Sequence, residues 1–364
     1  MSIRPRKSLL NPALTRPSAL KSVPRDGKLL WLDKNENLDQ TLMLSNHEIL
    51  MEISSNALAT YPEAGETYRK LAEWVGVNAD SLLLTPGSDG VIRYVFEVFV
   101  EPGDTVVHTS PTFAMYPVYS QMFGANAIQI EYVRKDGKVY LDPDLIIETL
   151  KKHKPKLFCL PNPDSPTGTV ISPDRLLEIL KLCETLGTVF LLDEAYHPFY
   201  EWTGVPWTQT FQNLIVARTF AKAWGLAGLR VGYAVGHSET LSLMHKMRPM
   251  YEVNTIAVEF LSKALDKEIE MRKSVERIKE GKLFFEEKMK SFGFDVLATE
   301  GNFTHVAFGN AGEAIHFALK DKVYYRVAFE QEGLKGYSRF SVAPLETMKQ
   351  VVQIIEETVK LKSV

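Results

Sequence analysis

Two uninterrupted apolar runs constrain the fold of this chain more than any other feature. One covers residues 189–192 and ends in an aspartate, and the other covers residues 214–217. Apolar residues at every position, rather than at every second one, are typical of parallel strands buried on both faces. Further strand-like runs, at 105–108 and 127–130, alternate with helical stretches such as 173–182. The alternation predicts an α/β fold with a mostly parallel central sheet flanked by helices.

The composition is that of a soluble globular protein. The chain has 364 residues, 45% hydrophobic and 24% charged, so it can bury a sizeable core in one large or two medium domains. Its net charge of −3 gives no reason to expect a nucleic-acid partner. No apolar run is long enough to span a membrane, so no membrane partner is expected. Two cysteines alone favour a reducing compartment, and we expect a cytoplasmic location. The histidines lack metal-like spacing with acids or cysteines, so no metal site is expected.

Lys222 has the local setting that most strongly indicates chemistry. It follows the second apolar run and lies between Phe220-Ala221 and Ala223-Trp224. A lysine among such neighbours is poorly solvated, which disfavours the ammonium form and lowers its pKa. An amine that forms a Schiff base needs this lowered pKa. The alternative is an ordinary surface lysine.

Asp193 ends the first apolar run, so it should lie at the carboxyl edge of the sheet, where α/β proteins bind ligands. A carboxylate there can hold a cationic ring nitrogen. An aspartate on a pyridinium nitrogen and a lysine Schiff base together describe a site for pyridoxal phosphate (PLP). The alternative for Asp193 is the N-cap of a helix that follows the strand.

A third segment, residues 159–169, closes the strand-like run 156–160. Its three prolines and its glycine favour a rigid, irregular loop that would share an edge with Asp193 and Lys222. With these three segments, the chain resembles the fold-type I PLP-dependent aminotransferases, and within them the histidinol-phosphate aminotransferase group. The resemblance runs from residues 35–37 to Arg339.

The resemblance implies a role for residues along the whole chain. Lys222 would form the Schiff base and shuttle a proton, Asp193 would pair with the ring nitrogen, and Tyr196 would hydrogen-bond the cofactor's phenolic oxygen. The other implied cofactor contacts are a phosphate loop at Gly87, Ser88 and Asp89, a stacking ring at Phe113, the hydroxyls of Ser165 and Thr219, a phosphate contact at Arg230, and Tyr61 reaching the partner subunit's cofactor. The implied substrate contacts are Arg326, Arg339 and Asn37. The two arginines suggest a phosphorylated substrate, because guanidinium forks suit oxyanions.

Two positions depart from the family pattern. Ser165 stands where members usually carry an asparagine that shares the phenolic oxygen with the tyrosine, and Asn162 is a candidate replacement. Ala221 stands where a hydroxyl residue often contacts the cofactor phosphate. Neither change removes an element essential to PLP chemistry, and both suggest a branch away from the histidine-pathway enzyme itself.

The activity implied by the resemblance is amino-group transfer between an amino acid donor and a small phosphorylated keto compound, in a homodimer. The main alternative is PLP-dependent decarboxylation of a small phosphorylated amino acid, as in threonine-phosphate decarboxylase, whose ring-binding residues are the same. A PLP-binding regulator is less expected, since no DNA-binding module is seen and Lys222 is intact. A dinucleotide enzyme is disfavoured because no G-x-G-x-x-G follows the first strand.

The first residues of the chain are basic up to Asp26, as in a mitochondrial transit peptide. Four prolines break any long amphipathic helix there, which favours an arm that lies across the dimer partner. We expect residues 1–45 to form this arm and part of a small domain. Residues 46–250 should form the large PLP-binding domain, and 251–364 a smaller α+β domain.

Overall fold

A computed structural model describes residues 4–12, 14–15, 23–135 and 137–362. Arg16 and Lys21, basic residues of the expected N-terminal arm, lie outside the described residues. The strands are β1 Leu30–Trp31, β2 Leu82–Thr85, β3 Thr105–Ser110, β4 Asn126–Glu131, β5 Val133–Lys135, β6 Lys138–Tyr140, β7 Leu157–Pro161, β8 Val189–Asp193, β9 Leu214–Thr219, β10 Gly232–Gly236, β11 Asp295–Leu297, β12 Phe303–Ala307, β13 Val323–Tyr324 and β14 Ser338–Ser341. The helices are α1 Gln40–Met51, α2 Gly65–Val75, α3 Gly87–Phe99, α4 Met115–Phe123, α5 Pro143–His153, α6 Pro173–Leu186, α7 Ser238–Met247, α8 Thr255–Leu265, α9 Glu268–Ser291, α10 Gly312–Leu319 and α11 Leu345–Lys362.

The central sheet has seven strands in the order β2-β10-β9-β8-β7-β3-β4. From β9 to β4 all neighbours pair in parallel, whereas β10 is antiparallel to both β9 and β2. Every residue of β7, β8 and β9 is buried, because helices cover both faces of the sheet. The expected α/β class with a mostly parallel, helix-flanked sheet is confirmed.

Alternating residues of the central strands enter two separate apolar cores. Leu192 and Val216 face one core with helices α5, α6 and α8, whereas Leu191 and Ala217 face the other core with helices α3, α4 and α7. The two cores fix the positions of both sheet faces. The carboxyl ends of the parallel strands therefore form one fixed edge, on which loops can place side chains accurately.

The C-terminal part adds a small antiparallel sheet, β11-β12-β14, next to helices α9, α10 and α11. The N-terminal segment joins this part, since β1 pairs in parallel with β13 through Leu30↔Val323 and Trp31↔Tyr324. This pairing brings residues 33–36 to the edge of the central sheet. The domain bounds at residues 46 and 250 stay a prediction. Among the described residues, no helix combines the length and the hydropathy that a membrane crossing requires.

Gly281, in the middle of α9, lets this helix pack directly on the backbone before α11. A Cβ at Gly281 would overlap the carbonyl oxygen of Ala343 and would lie 3.0 Å from the amide nitrogen of Leu345. We therefore expect Gly281→Ala to lower the free energy of unfolding by about 1–3 kcal/mol, although alanine favours helices. Gly312 is the matched control, since a Cβ there meets no atom closer than 3.7 Å. Denaturant melts should show no loss of stability for Gly312→Ala, and equal losses in both variants would contradict the packing explanation.

Candidate active site

A cavity of about 750 Å³ lies at the carboxyl edge of the central sheet, where the N-terminal segment and the C-terminal part meet it. Most of the residues that the sequence predicts for the site line this cavity. They are Gly87, Ser88, Asp89, Phe113, Ser165, Asp193, Tyr196, Thr219, Lys222, Arg230, Arg326 and Arg339. Tyr61 and Asn37 are not among its lining residues.

Lys222 lies three residues after β9 and extends its amine into the cavity. Its Nζ donates to the Lys34 carbonyl oxygen at 3.1 Å and lies 5.9 Å from the ring centroid of Tyr196. The pKa of Lys222 is lowered to about 8, mainly by burial and secondly by the positive charge of the nearby Arg339. The Lys222 side chain is only half-buried, because its tip faces the cavity. Protein atoms packed around the rest of the side chain account for its desolvation. Near neutral pH a useful fraction of this amine is unprotonated.

Asp193 ends β8 with its carboxylate buried against the cavity wall, and its residue is 5% exposed. Oδ2 accepts from the Tyr116 hydroxyl at 2.9 Å, and Oδ1 accepts from the Ala195 amide at 3.0 Å. Burial raises the pKa of Asp193 to about 6, against the opposing effect of the Tyr116 hydrogen bond. The contact with Ala195 is that of a cap, but a turn rather than a helix follows the strand. A buried carboxylate in this state favours a cationic partner in the cavity.

Tyr196 is 3% exposed and its hydroxyl lies between two side chains. Asn35 Nδ2 donates to the hydroxyl at 2.8 Å, and the hydroxyl donates to Ser165 Oγ at 3.3 Å. Asn162 Oδ1 accepts from the Ile171 amide at 2.7 Å, and Asn162 is not among the residues that line the cavity. The candidate role for Asn162 stays a prediction, and the amide that contacts the Tyr196 hydroxyl is that of Asn35.

The first turn of α3 forms an anion cradle with Arg230. Gly87 and Ser88 begin the helix, where free N–H groups and the helix dipole attract anions. A Cβ at Gly87 would lie 3.0 Å from Arg230 Nη2, so the guanidinium stands directly over the turn. Gly232 lets strand β10 lie close to the first turn of α3, since a Cβ at this position would lie 2.5 Å from the Gly87 carbonyl carbon and 2.7 Å from the Ser88 amide nitrogen.

Three further residues line the cavity: Asp89 and Thr219, which accept hydrogen bonds, and Phe113, whose ring is partly exposed. Asp89 accepts from the Tyr119 hydroxyl at 3.1 Å, and Thr219 Oγ1 accepts from the Ala221 amide at 3.1 Å. Phe113 is 36% exposed and contacts Tyr116 edge to face, so its ring is available to a ligand. The cavity thus presents an anion cradle, a buried carboxylate, an aromatic face and an amine. These are the groups that PLP requires, and the residues present fit this cofactor.

Arg326 and Arg339 face each other in an antiparallel β-bridge. Each donates its backbone N–H to the other's carbonyl oxygen, at 3.0 and 2.8 Å. Directly opposed residues of an antiparallel pair point their side chains to the same side, which here is the cavity. The Arg326 guanidinium stacks 4.3 Å over Phe329, and Arg339 Nη2 donates to the Asp33 carbonyl oxygen at 2.9 Å. Arg339 Nε is buried and has no hydrogen-bond partner among the described residues.

Two predicted site residues lie outside the cavity of this chain. Asn37 is 4% exposed, and its Nδ2 donates to the Ala223 carbonyl oxygen at 2.9 Å and to Ser274 Oγ at 3.0 Å. With these two hydrogen bonds Asn37 holds the Lys222 loop, and its contact with substrate stays a prediction. Tyr61 is 71% exposed and stacks on Tyr251 at 4.2 Å, so its proposed reach toward a partner subunit stays a prediction.

Sequence reasoning missed an ion pair that lies behind the site. Glu194 and Arg218 are 1% and 6% exposed at their side chains, and they pair at 2.9 Å. Glu194 follows Asp193 and Arg218 precedes Thr219, and both of these neighbours line the cavity. The ion pair therefore connects the ends of β8 and β9. The signals in the sequence were two charges close to the ends of the two apolar runs.

The fold and the cavity define a PLP enzyme of fold type I, and comparisons with known proteins agree. The family model "Aminotransferase class I and II" matches residues 27–355. The chain therefore belongs to the class I and II aminotransferase family, and the expected PLP-dependent aminotransferase is confirmed.

Curated relatives carry a more specific name. The chain is 30% identical to the histidinol-phosphate aminotransferase of Caldanaerobacter subterraneus subsp. tengcongensis, with 90% of this chain and 92% of the relative aligned. It is 29% identical to the enzyme of that name from Clostridium kluyveri, with 93% and 95% aligned.

Solved structures show the same fold at lower identity. Histidinol-phosphate aminotransferase from Sinorhizobium meliloti, in complex with PLP, has a TM-score of 0.78 and 21% identity, and 92% of each chain is covered. L-threonine-O-3-phosphate decarboxylase from Porphyromonas gingivalis has a TM-score of 0.74 and 19% identity, with 91% of this chain and all of that chain covered. Both similarities establish the fold alone.

Proposed function

We propose that this protein transfers an amino group between an amino acid donor and a small phosphorylated keto compound. The observation that carries this proposal is the opposed pair Arg326 and Arg339, both of which line the cavity. Two guanidinium groups on one wall suit a ligand with a phosphate or a carboxylate at each position. The name shared by the curated relatives, histidinol-phosphate aminotransferase, supports a phosphorylated substrate.

PLP supplies an electron sink for the negative charge that develops at the substrate carbon when a proton leaves it. Asp193 would hold the ring nitrogen in its cationic form. The turn at Gly87-Ser88 and Arg230 would bind the phosphate, and Phe113 would cover one face of the ring. Lys222 would bind the cofactor covalently and, when released, would move a proton, a role for which a pKa of about 8 is well suited.

Decarboxylation of a phosphorylated amino acid is the alternative outcome, because the same groups would hold the cofactor. The purified protein should be incubated with a panel of phosphorylated amines and amino acids and scored for both keto product and carbon dioxide. Formation of keto product that depends on an added keto acid supports the proposal. Release of carbon dioxide without amino transfer would refute it.

Arg326 provides a test of phosphate recognition. Arg326→Ala should weaken the binding of a phosphorylated substrate by a few kcal/mol, because a charged hydrogen-bond partner is lost. The KM for that substrate should rise accordingly. The KM for an unphosphorylated amino donor should change much less. Arg326→Lys should be a poor substitute, since lysine lacks the planar fork. Steady-state kinetics with both substrates decide the matter, and equal effects on the two would redirect the search to unphosphorylated substrates.

A homodimer would complete the site. Around Tyr61 the chain exposes apolar side chains that a partner could cover. They include Leu58, Tyr61, Met247, Met250 and Tyr251. A cytoplasmic location agrees with the two buried, unpaired cysteines, Cys159 and Cys183.

Mixing two inactive variants tests whether Tyr61 serves the partner's site. A Tyr61→Ala subunit and a Lys222→Ala subunit should form a hybrid with one intact site and one doubly damaged site. Random exchange at equal amounts should therefore restore about a quarter of the wild-type sites. Activity should be assayed after subunit exchange, beside each variant alone. A monomer by sedimentation, or no recovery in a proven hybrid, would rule out the shared site.

A further inference from the structure

We propose that Asn35 is a positioning residue for Tyr196, whose hydroxyl it orients toward the cofactor's phenolic oxygen. The proposal rests on the proposed role of Tyr196 as a donor to that oxygen. It arises from the position of Asn35, which lines the cavity and donates to Tyr196 at 2.8 Å. The family asparagine is replaced by Ser165, whose Oγ is 3.3 Å from the same hydroxyl. Asn35 thus makes the closer of these two contacts.

The hydrogen bonds around Ser341 fix which way the Asn35 amide points. The backbone N–H of Asn35 donates to Ser341 Oγ at 2.7 Å, so the serine oxygen is the acceptor in that contact. The serine hydrogen is then free to donate to Asn35 Oδ1, which lies 3.2 Å away. With Oδ1 accepting from Ser341, the other end of the amide, Nδ2, must face Tyr196 as a donor.

The amide donor in turn determines what the phenol can do. A hydroxyl has one hydrogen and two acceptor sites, and Asn35 occupies an acceptor site of Tyr196. The Tyr196 hydrogen must therefore point away from Asn35, toward Ser165 or an acceptor in the cavity. Burial raises the pKa of Tyr196, while Arg339, Ser165 and Asn35 act against this rise, so the phenol stays a protonated donor.

The backbone holds Asn35 in place for this contact. Its φ is 54°, in the left-handed region that asparagine tolerates better than most residues, and it is 2% exposed. Asn302 Nδ2 donates to the Asn35 carbonyl oxygen at 3.1 Å. Ser341 lies two residues after Arg339, so the segment that orients Tyr196 is bonded to the strand that carries a proposed substrate arginine.

The pH at which the absorbance band of the PLP-loaded protein changes is a readout independent of turnover. Negative charge on the phenolic oxygen holds the neighbouring proton of the lysine-bound cofactor. A donor to that oxygen withdraws this charge and lowers the pH at which the proton leaves. Asn35→Gly removes the amide without straining the backbone. It should raise the midpoint of this pH-dependent absorbance change by about one pH unit, which corresponds to the free energy of about one hydrogen bond. It should also weaken PLP binding, as measured by equilibrium dialysis.

A double-mutant cycle with Tyr196→Phe separates the contact from general damage. Tyr196→Phe alone should raise the midpoint more than Asn35→Gly does, and Asn35→Gly should add nothing in that background. Equal shifts in both backgrounds would overturn the proposal, since the amide would then act independently of the phenol. No shift in Tyr196→Phe alone would show instead that the proposed role of Tyr196 is wrong, and the inference would fall with it.

Two further variants keep the test decisive. Asn35→Asp retains the shape and the backbone preference but replaces the donor by an acceptor, so it should raise the midpoint at least as much, and it serves if the glycine variant does not fold. Asn302→Ala removes a bond to the Asn35 backbone but leaves the amide and its bonds to Ser341, so it should raise the midpoint far less than Asn35→Gly does. A shift in Asn302→Ala as large as in Asn35→Gly that persists in the Tyr196→Phe background would reduce Asn35 to a structural role and overturn the proposal.

Discussion

Replacing Lys222 by alanine should reduce turnover by about 10⁴-fold or more, because the covalent amine and the proton carrier are lost together. PLP should still bind noncovalently, since the Gly87-Ser88 turn, Arg230, Asp193 and Phe113 are unchanged. The fold should survive, because within the described residues the hydrogen bond found for Lys222 Nζ is the one to the Lys34 carbonyl oxygen. Turnover, PLP binding and a thermal melt should be measured on the same preparation.

Lys282 is a suitable control for this substitution. It is another lysine whose pKa is lowered by burial, and its Nζ donates to the carbonyl oxygens of Thr299 and Gly301 rather than facing the cavity. Lys282→Met should lose far less turnover than Lys222→Ala. Comparable turnover in Lys222→Ala and the wild type would show that Lys222 is not the catalytic amine.

Asp193→Asn should lower kcat by about 10²–10³-fold, the range seen when a preorganised electrostatic contact is removed. The amide preserves the shape and can keep the hydrogen bonds with Tyr116 and Ala195, but it carries no charge to hold a cationic ring nitrogen. The fold should therefore persist while the chemistry fails. Kinetics and a melt should be compared with those of the wild type.

Asp164→Asn is the matched control for the charge at Asp193. Asp164 is buried like Asp193, but it lies outside the cavity, and its Oδ2 accepts from the Thr167 amide at 2.9 Å. Burial raises the pKa of Asp164 to about 7, so near neutral pH much of it is already uncharged and an asparagine changes little. Near-wild-type rates in Asp193→Asn would mean that Asp193 only caps the turn after β8.

The positions of Lys222 and Asp193 could be predicted because each depends on a local pattern. An apolar run identifies a buried strand, and the residue that follows it must lie at the carboxyl edge of the sheet. The opposed arginines, 13 residues apart, could likewise be expected from a turn between two strand-like segments. In each of these cases neighbouring residues in the sequence determine where the side chain lies.

The choice between Asn35 and Asn37 could not be made from the sequence. Asn35 faces Tyr196 because of its left-handed backbone and its bonds to Ser341, which lies 306 positions away. Asn37 faces away because Ala223 and Ser274 accept its donors. The orientation of Asn162 has the same origin, since the path of the loop backbone directs its side-chain oxygen to the Ile171 amide. Contacts between distant segments decide such orientations, and local patterns carry no information about them.

Reduction of the PLP-loaded protein with borohydride, followed by peptide mapping, tests most directly whether Lys222 carries the cofactor. We expect the visible absorbance band to disappear and the phosphopyridoxyl group to be found on the peptide that contains Lys222. Lys34, whose residue also lines the cavity, should remain unlabelled. A label on Lys34, or no label on any lysine of a protein that still turns over, would contradict the site described above.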